Sequence, residues 1–219
     1  MKRFTGTLGR ILLLALVAFL MGALLPGAHG QETEIALQER DAKAIEARIE
    51  QLKKDAPEGA TLVSYLDCGT ELSSSFGTAK ITVLGGKTYT FAPAQDAGPL
   101  PEGTSILQQT IFFAESNIDL KVSGVDRTKR YQVHLTWWDF DAGGRTQSVI
   151  CKQSRGYMLS VPVAAQSLPN FAVSGDGPAE KSFRLPVHFA DAEGNIDLKI
   201  RKEFGPNAVV SELWIYEVK

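Results

Sequence analysis

Residues 31–55 carry a helical pattern of hydrophobic positions. Apolar side chains recur there on one stripe of a helix: Ile35, Ala42, Ile45, Ile49 and Leu52. Pro57 and Gly59 follow, so the helix is predicted to end before them and residues 56–60 to form a linker. The helix either packs on the domain that follows or projects from it and self-associates as a coiled coil. Because the stripe is narrow, we favour the projecting helix.

From residue 61 the pattern changes to short runs of β type. Ten runs follow one another, separated by glycine, proline, asparagine and aspartate: TLVSYLDCG, AKITVLGGKTYTFAP, SILQQTIFFAE, NIDLKVSG, YQVHLTWW, RTQSVICK, GYMLSVPV, KSFRLPVHFA, NIDLKIRKEF and AVVSELWIYEV. No helical pattern interrupts them. Residues 61–219 are therefore predicted to form an all-β domain, a β-sandwich of the jelly-roll kind, preceded by one N-terminal helix.

The alternation is clearest in residues 131–149, YQVHLTWWDFDAGGRTQSV. One face of the predicted strand carries Tyr131, Val133, Leu135 and Trp137, and the other face carries Gln132, His134, Thr136 and Trp138. A turn and a second alternating run follow, which predicts a hairpin. We assign Trp137 to the core and Trp138 to an exposed rim beside Asp139, Asp141 and Arg145. A flat ring next to planar polar groups suits a sugar, so these four rim residues are candidates for carbohydrate binding.

Two of the runs contain the same five residues. The sequence Asn-Ile-Asp-Leu-Lys occurs at 117–121 and again at 195–199. In both copies Ile and Leu fall on one face of a strand while Asp and Lys fall on the other. This repeat predicts two similar amphipathic strands in one sandwich.

The chain begins with the features of a secretory signal. Lys2, Arg3 and Arg10 precede an apolar run over residues 11–25, and the small residues Ala28 and Gly30 mark a cleavage point after Gly30. Residues 1–30 are therefore predicted to be a signal peptide, and the protein to be secreted or periplasmic. The alternative is a segment kept as a membrane anchor.

Charge narrows the range of partners. Residues 1–30 hold three of the 23 basic residues and none of the 25 acidic ones, so the mature chain has a formal net charge of −5. No basic run stands out in it. Nucleic acid and, after signal cleavage, membrane surfaces are therefore not expected as partners.

The two cysteines, Cys68 and Cys151, both lie in the exported part. An even pair in an oxidising compartment favours one disulfide between them, and the alternative is two buried free thiols. With the two histidines of the mature chain they make no zinc spacing. No cofactor is predicted, although residues 191–197, DAEGNID, could hold a structural calcium ion. A solvated polar turn is the favoured interpretation of that segment.

Sequence motifs of the common catalytic classes are missing. The chain has no GxSxG, HExxH or CxxC and no glycine-rich phosphate loop. This absence favours a binding protein over an enzyme. A glycan-active hydrolase or lyase that uses Asp139 or Asp141 remains the alternative.

Three segments, in this order, resemble the malectin-like, galactose-binding-like carbohydrate-binding sandwiches. YLDCGT at 65–70 resembles the opening strand of that family, RYQVHLTWWDFDAGGRTQSV at 130–149 is similar to its central hairpin, and NIDLKIRKEFGPNAVVSELWIYE at 195–217 looks like its closing strands. The resemblance implies a galactose-binding-like fold and non-catalytic glycan binding. Carried over by position, it adds Tyr65, Asp67 and Tyr89 to the candidate site.

The leading hypothesis is therefore an exported, non-catalytic carbohydrate-binding module whose partner is a glycan or polysaccharide. The alternative is a structural or protein-binding β-sandwich of the cell envelope. In that alternative the protein forms a homo-oligomer through its N-terminal helix, residues 32–54.

Overall fold

A computed structural model describes residues 42–74, 76–90, 107, 110–139, 143–154, 159–169 and 178–219. For residues 88–90 and 110 the description covers the backbone alone. The predicted signal peptide and helix residues 31–41 lie outside these ranges. Residues 44–219 belong to one compact unit. In the ranges given, no helix is both long and apolar enough to span a membrane.

Residues 42–54 are helical, and twelve strands follow within the described ranges. The strands are β1 (Thr61–Asp67), β2 (Lys80–Val83), β3 (Lys87–Thr90), β4 (Thr110–Ala114), β5 (Asn117–Ser123), β6 (Arg130–Trp137), β7 (Thr146–Gln153), β8 (Ser160–Ser167), β9 (Ala179–Leu185), β10 (Ile196–Phe204), β11 (Ala208–Val210) and β12 (Glu212–Val218). Two of the ten predicted runs are each divided into two strands. The run over 79–93 divides at Gly85 and Gly86, and the run over 208–218 divides at Ser211.

The strands form three antiparallel sheets. A four-stranded sheet has the order β1-β12-β6-β9, a five-stranded sheet has the order β2-β5-β10-β7-β8, and a small sheet has the order β11-β4-β3. The inner faces of these sheets supply one continuous apolar core. The predicted β-sandwich preceded by a helix is confirmed.

Strand β6 shows how the alternation builds this core. Its Tyr131, Val133, Leu135 and Trp137 are buried among the core residues, as the pattern predicted. The neighbouring strand β12 alternates in the same way, with Leu213 and Ile215 in the core and Trp214 and Tyr216 on the outer face. The outer face of the four-stranded sheet therefore also carries large aromatic rings, and another part of the protein must cover them to exclude water.

The helix provides that cover. Ile49 and Leu52 are buried against Tyr65, Trp214 and Tyr216. The expectation of a projecting helix is therefore wrong for residues 44–54. A narrow stripe is sufficient because the side chains that receive it are large aromatic rings. Burying two such aliphatic side chains stabilises the packed helix by about 3–6 kcal/mol. This gain is sufficient to hold the helix on the sheet although the rest of its surface is charged.

A buried carboxylate locks the helix to the sheet. The Glu212 side chain is fully buried and accepts hydrogen bonds from Arg48 Nε of the helix (2.8 Å), Tyr65 Oη of β1 (3.0 Å) and Thr136 Oγ1 of β6 (3.2 Å). The Arg48 guanidinium also lies over the Trp214 ring, 5.3 Å from its centroid. One carboxylate therefore joins the helix to three strands of the sheet.

The predicted disulfide is wrong. Cys68, which follows β1, and Cys151 of β7 are both free thiols in the structure. Cys151 lies in the five-stranded sheet and Cys68 directly follows a strand of the four-stranded sheet, and each is fully buried as a small apolar side chain of the core. Burial raises the pKa of both thiols, so neither is poised to react.

Replacement of Arg48 by Ala should destabilise the protein by about 3 kcal/mol, because Glu212 would remain buried without its cation. Chemical unfolding followed by circular dichroism measures this loss. Lys54→Ala, which removes an exposed cation from the same helix, should cost about 0.5 kcal/mol or less. The double variant Arg48→Met/Glu212→Gln should recover part of the loss. Equal losses for Arg48→Ala and Lys54→Ala would contradict the described lock.

Candidate functional site

The hairpin between β6 and β7 is held by a buried ion pair of Asp139 with Arg145. The Asp139 carboxylate accepts hydrogen bonds from the backbone N–H groups of Gly143 (3.0 Å), Gly144 (2.7 Å) and Arg145 (3.3 Å), and from the Arg145 guanidinium. Both side chains are almost completely buried. The expectation that they lie at an exposed rim is therefore wrong. A carboxylate that follows a strand can satisfy the N–H groups of its own turn, and here it does so.

Arg145 also ties this hairpin to the turn between β10 and β11. Its Nε donates to Asn207 Oδ1 at 2.9 Å. In that turn Gly205 has φ +97°, and a Cβ on it would lie 3.0 Å from Arg145 Cα. Phe204, next to it, is 69% exposed. A Cβ on Gly144 would lie 3.8 Å from the Phe204 ring, so among the described residues Phe204 offers an exposed aromatic ring beside the hairpin.

Trp138 is not that ring, and its predicted exposure is wrong. The side chain is completely buried in the core, as is that of Trp137. Alternation places successive side chains on opposite faces only while the strand continues, and β6 ends at Trp137. Beyond it the chain turns, and Asp139 N donates to Pro169 O at 2.8 Å. Both tryptophans therefore serve the core.

Tyr65 and Asp67 are buried on β1. Burial raises the pKa of Tyr65, so its phenol stays protonated and donates to Glu212. Asp67 is paired with Glu212 in the register of β1 and β12. Its carboxylate accepts hydrogen bonds from Thr70 Oγ1 (2.6 Å) and Gly69 N (3.3 Å). Both residues therefore have roles inside the protein.

Side-chain positions are not described for the remaining two candidates. Tyr89 lies in β3, where the backbone alone is described, and Asp141 falls outside the described residues. The five predicted residues whose side chains are described are all buried, so these five do not form an open site. Sequence reasoning also missed Glu212. The signal was an acid within the apolar run AVVSELWIYEV, since a carboxylate in such a run must find a cation or donors when it is buried.

An open groove lies instead on the outer face of the five-stranded sheet. It has a volume of about 590 Å³, within the usual range of small-molecule sites. Its polar lining comes from β5, β7 and β10: Asn117, Asp119, Lys152, Asp197 and Lys199. Leu84, Ile150 and Ala114 add aliphatic surface, and Gly85 and Gly86 form part of the wall.

The repeated Asn-Ile-Asp-Leu-Lys sequence builds this polar lining. The first copy lies in β5, and the second copy, apart from Asn195, lies in β10. These strands are antiparallel neighbours in which Asp119 is paired with Lys199 and Lys121 with Asp197. Lys199 Nζ lies 3.0 Å from Asp119 Oδ1. The predicted pair of similar amphipathic strands is confirmed, and their polar faces together form the floor of the groove.

The segment 191–197 forms a tight turn around Asp191. The Asp191 carboxylate is buried and accepts hydrogen bonds from the backbone N–H groups of Glu193 (3.0 Å) and Asn195 (2.7 Å). These bonds account for the acid without an ion. In the described ranges, no group of three or more acidic, histidine or cysteine side chains is arranged to hold a metal.

No family model matches the chain, and neither does any curated protein. Solved structures do match. The ANXUR1 extracellular domain from Arabidopsis thaliana is 14% identical, with a TM-score of 0.46 over 73% of this chain and 49% of its own. Bacteroides uniformis beta-glucuronidase 2 is 14% identical, with a TM-score of 0.45 over 73% of this chain and 18% of its own.

A third match is the structure of the plant peptide RALF23 in complex with FER and LLG2, at 14% identity and a TM-score of 0.46. The chain spans about half the length of the ANXUR1 domain and under a fifth of the glucuronidase.

Asp67 should make stability depend on pH. Burial raises the pKa of Asp67 from 3.8 to about 7, and the nearby charge of Glu212 adds to the rise. The folded state then binds more protons than the unfolded state between these values, so the contribution of Asp67 to stability falls as pH rises from about 4 to about 7. Urea unfolding at intervals of pH should show this fall relative to Asp67→Asn, which does not titrate. A constant difference between the two proteins across this window would contradict the raised pKa.

Proposed function

We propose that this protein is an exported, non-catalytic carbohydrate-binding sandwich whose ligand lies in the groove on the five-stranded sheet. The observation that carries the proposal is the lining of that groove. Two carboxylates, one amide and two amines face solvent there beside aliphatic side chains. Acids and amides hydrogen-bond to neighbouring sugar hydroxyls, and Leu84 and Ile150 offer apolar contact to the C–H groups of a ring.

The burial of the hairpin residues supports this location. Asp139, Arg145 and Trp138 are held inside the protein, so none of them offers a surface to a ligand. Phe204 takes the place of Trp138 as the exposed ring, at the end of the strand that carries Asp197 and Lys199. A sugar chain that follows β10 from the groove would reach this ring.

The lining suits binding better than hydrolysis. A glycosidase needs one carboxyl group as an acid and a second carboxylate across the scissile bond. Here Asp119 forms an ion pair with Lys199, and Asp197 accepts a hydrogen bond from Ser154 Oγ at 2.7 Å. Both acids therefore act as positioned acceptors, which supports a non-catalytic role.

The alternative function, oligomerisation through the helix, is less well supported. Ile45, Ile49 and Leu52 belong to the apolar stripe that the alternative requires, and they pack on the four-stranded sheet. Residues 32–41 lie outside the described part of the chain. Export through residues 1–30 and the extracytoplasmic location remain part of the proposal.

Gly85 offers a direct test of the groove. A Cβ at this position meets no atom within 4 Å, so a side chain here would enter open space in the groove without disturbing the fold. Gly85→Trp should reduce affinity for glycans at least about tenfold, while the matched control Gly85→Ala should bind as wild type does. A glycan array identifies the ligand, and calorimetry with that ligand measures the affinity. Failure of the wild-type protein to retain any glycan, or equal binding by Gly85→Trp, would overturn the proposal.

A further inference from the structure

A second concave surface, which we call the basic cleft, lies where β6 begins and β9 ends. It consists of two adjoining grooves of about 450 and 300 Å³ that share Arg130, Val218 and Lys219. Lys129 and Glu217 line the first groove, and Arg184 lines the second. We propose that the basic cleft binds a tetrahedral oxyanion, the phosphate or sulfate group of a ligand, between Arg130 and Arg184.

The register of the sheet brings these two arginines together. Gln132 of β6 is paired with Arg184 of β9, and Tyr131 is paired with Leu185. Tyr131 and Leu185 point into the core, so Arg130 and Arg184 point outward as diagonal neighbours. Diagonal Cβ atoms lie about 7 Å apart, a distance that one phosphate can bridge between two guanidinium groups.

The acids near the cleft are already engaged. Glu217 Oε1 accepts from Lys129 Nζ at 2.9 Å. Asp126 Oδ1 accepts from the backbone N (2.8 Å) and Oγ1 (2.7 Å) of Thr128, and these bonds lower the pKa of Asp126. Within the described residues, neither Arg130 nor Arg184 has an ion pair. Two like charges therefore face one cleft in a chain whose net charge is −2, and a bound anion would relieve their repulsion.

The backbone beside the cleft is fixed in place. His188 has φ 60°, a value that a residue other than glycine rarely adopts, and its N–H donates to Arg127 O at 2.6 Å. Asp126 N donates to Tyr131 Oη at 2.8 Å. These bonds hold the turn over 126–129 against the end of β9. Strained, well-held backbone of this kind occurs preferentially at binding sites, and it would position Arg130 in advance of binding.

Shape favours a small oxyanion over an extended acidic partner. The groove that contains Arg184 has a volume of about 300 Å³, at the lower end of the usual range of small-molecule sites, and Pro186, Leu185 and Val218 give its walls an apolar character. Guanidinium groups match phosphate and sulfate oxygens with two parallel hydrogen bonds each. The group could belong to a soluble phosphorylated or sulfated compound or to a lipid headgroup.

Calorimetry with inorganic phosphate and with inorganic sulfate, against chloride at equal ionic strength, tests the proposal. We expect saturable binding that Arg130→Gln/Arg184→Gln weakens about tenfold or more. The matched control is Lys80→Gln/Lys121→Gln, which removes the same charge from exposed positions of the five-stranded sheet outside the glycan groove and should change the dissociation constant by less than about twofold. Circular dichroism checks that both variants fold.

Flotation with phosphatidylcholine vesicles, with and without phosphatidic acid, identifies the source of the group. Binding only to vesicles with phosphatidic acid, lost in the arginine variant, supports a lipid headgroup. Phosphate or sulfate binding without flotation supports a soluble ligand. The proposal is overturned if neither phosphate, sulfate nor vesicles bind, or if the lysine variant loses as much affinity as the arginine variant. Since glycan binding concerns the groove on the other sheet, neither result bears on it.

Discussion

The carboxylate of Glu212 is the interaction on which the arrangement of the molecule depends. An ionised acid without solvent is stable only when donors surround it, and here the helix and two neighbouring strands supply them. The acid therefore requires the helix to stay on the sheet, and the helix in turn shields Trp214 and Tyr216 from water. Without the helix, Glu212 would lose its cation, and Trp214 and Tyr216 would be exposed to water. Without Glu212, Arg48 of the helix would lose its buried carboxylate.

This lock gives the two large sheets different roles. The outer face of the four-stranded sheet is covered by residues 44–54 and packs a second apolar cluster. The outer face of the five-stranded sheet carries paired acids and lysines and a groove open to solvent. A sandwich with one closed and one open face has its ligand site, in our account, on the open one. Aromatic rings are therefore a poor guide to the site here, because most of those in the described part of the chain stabilise the closed face and the core.

Periodicity predicted the fold class well, because the alternation of apolar and polar residues along a strand reflects which of its faces is buried. The face of β6 that carries Tyr131 and Trp137 lies in the core as expected, and the repeat at 117–121 and 195–199 became two paired strands. Periodicity failed where strands end. Trp138 lies one residue beyond β6, and its direction depends on the turn that follows, which is held by the ion pair of Asp139 with Arg145.

The candidate site was harder to predict for a related reason. Polar residues beside a turn are equally suited to bind a sugar and to satisfy the N–H groups of the turn, and the sequence does not distinguish the two. Asp139 and Asp191 both do the second. The groove residues gave a weaker signal. In the sequence, Asp119 and Lys199 are ordinary polar positions of two alternating runs, and only the register of the sheet pairs them across two strands 80 residues apart. Such long-range pairing is a property of the folded sheet.

The most direct test of the account is to map a bound oligosaccharide by amide chemical shifts. Using an oligosaccharide that the protein retains, we predict the largest shifts at residues 117–119, 150–152 and 197–199, around the groove. Residues 65–67 and the hairpin residues 138, 139 and 143–145 should remain unchanged because they are buried. Large shifts confined to the hairpin and to Tyr65 would contradict the assignment of the open face as the binding face.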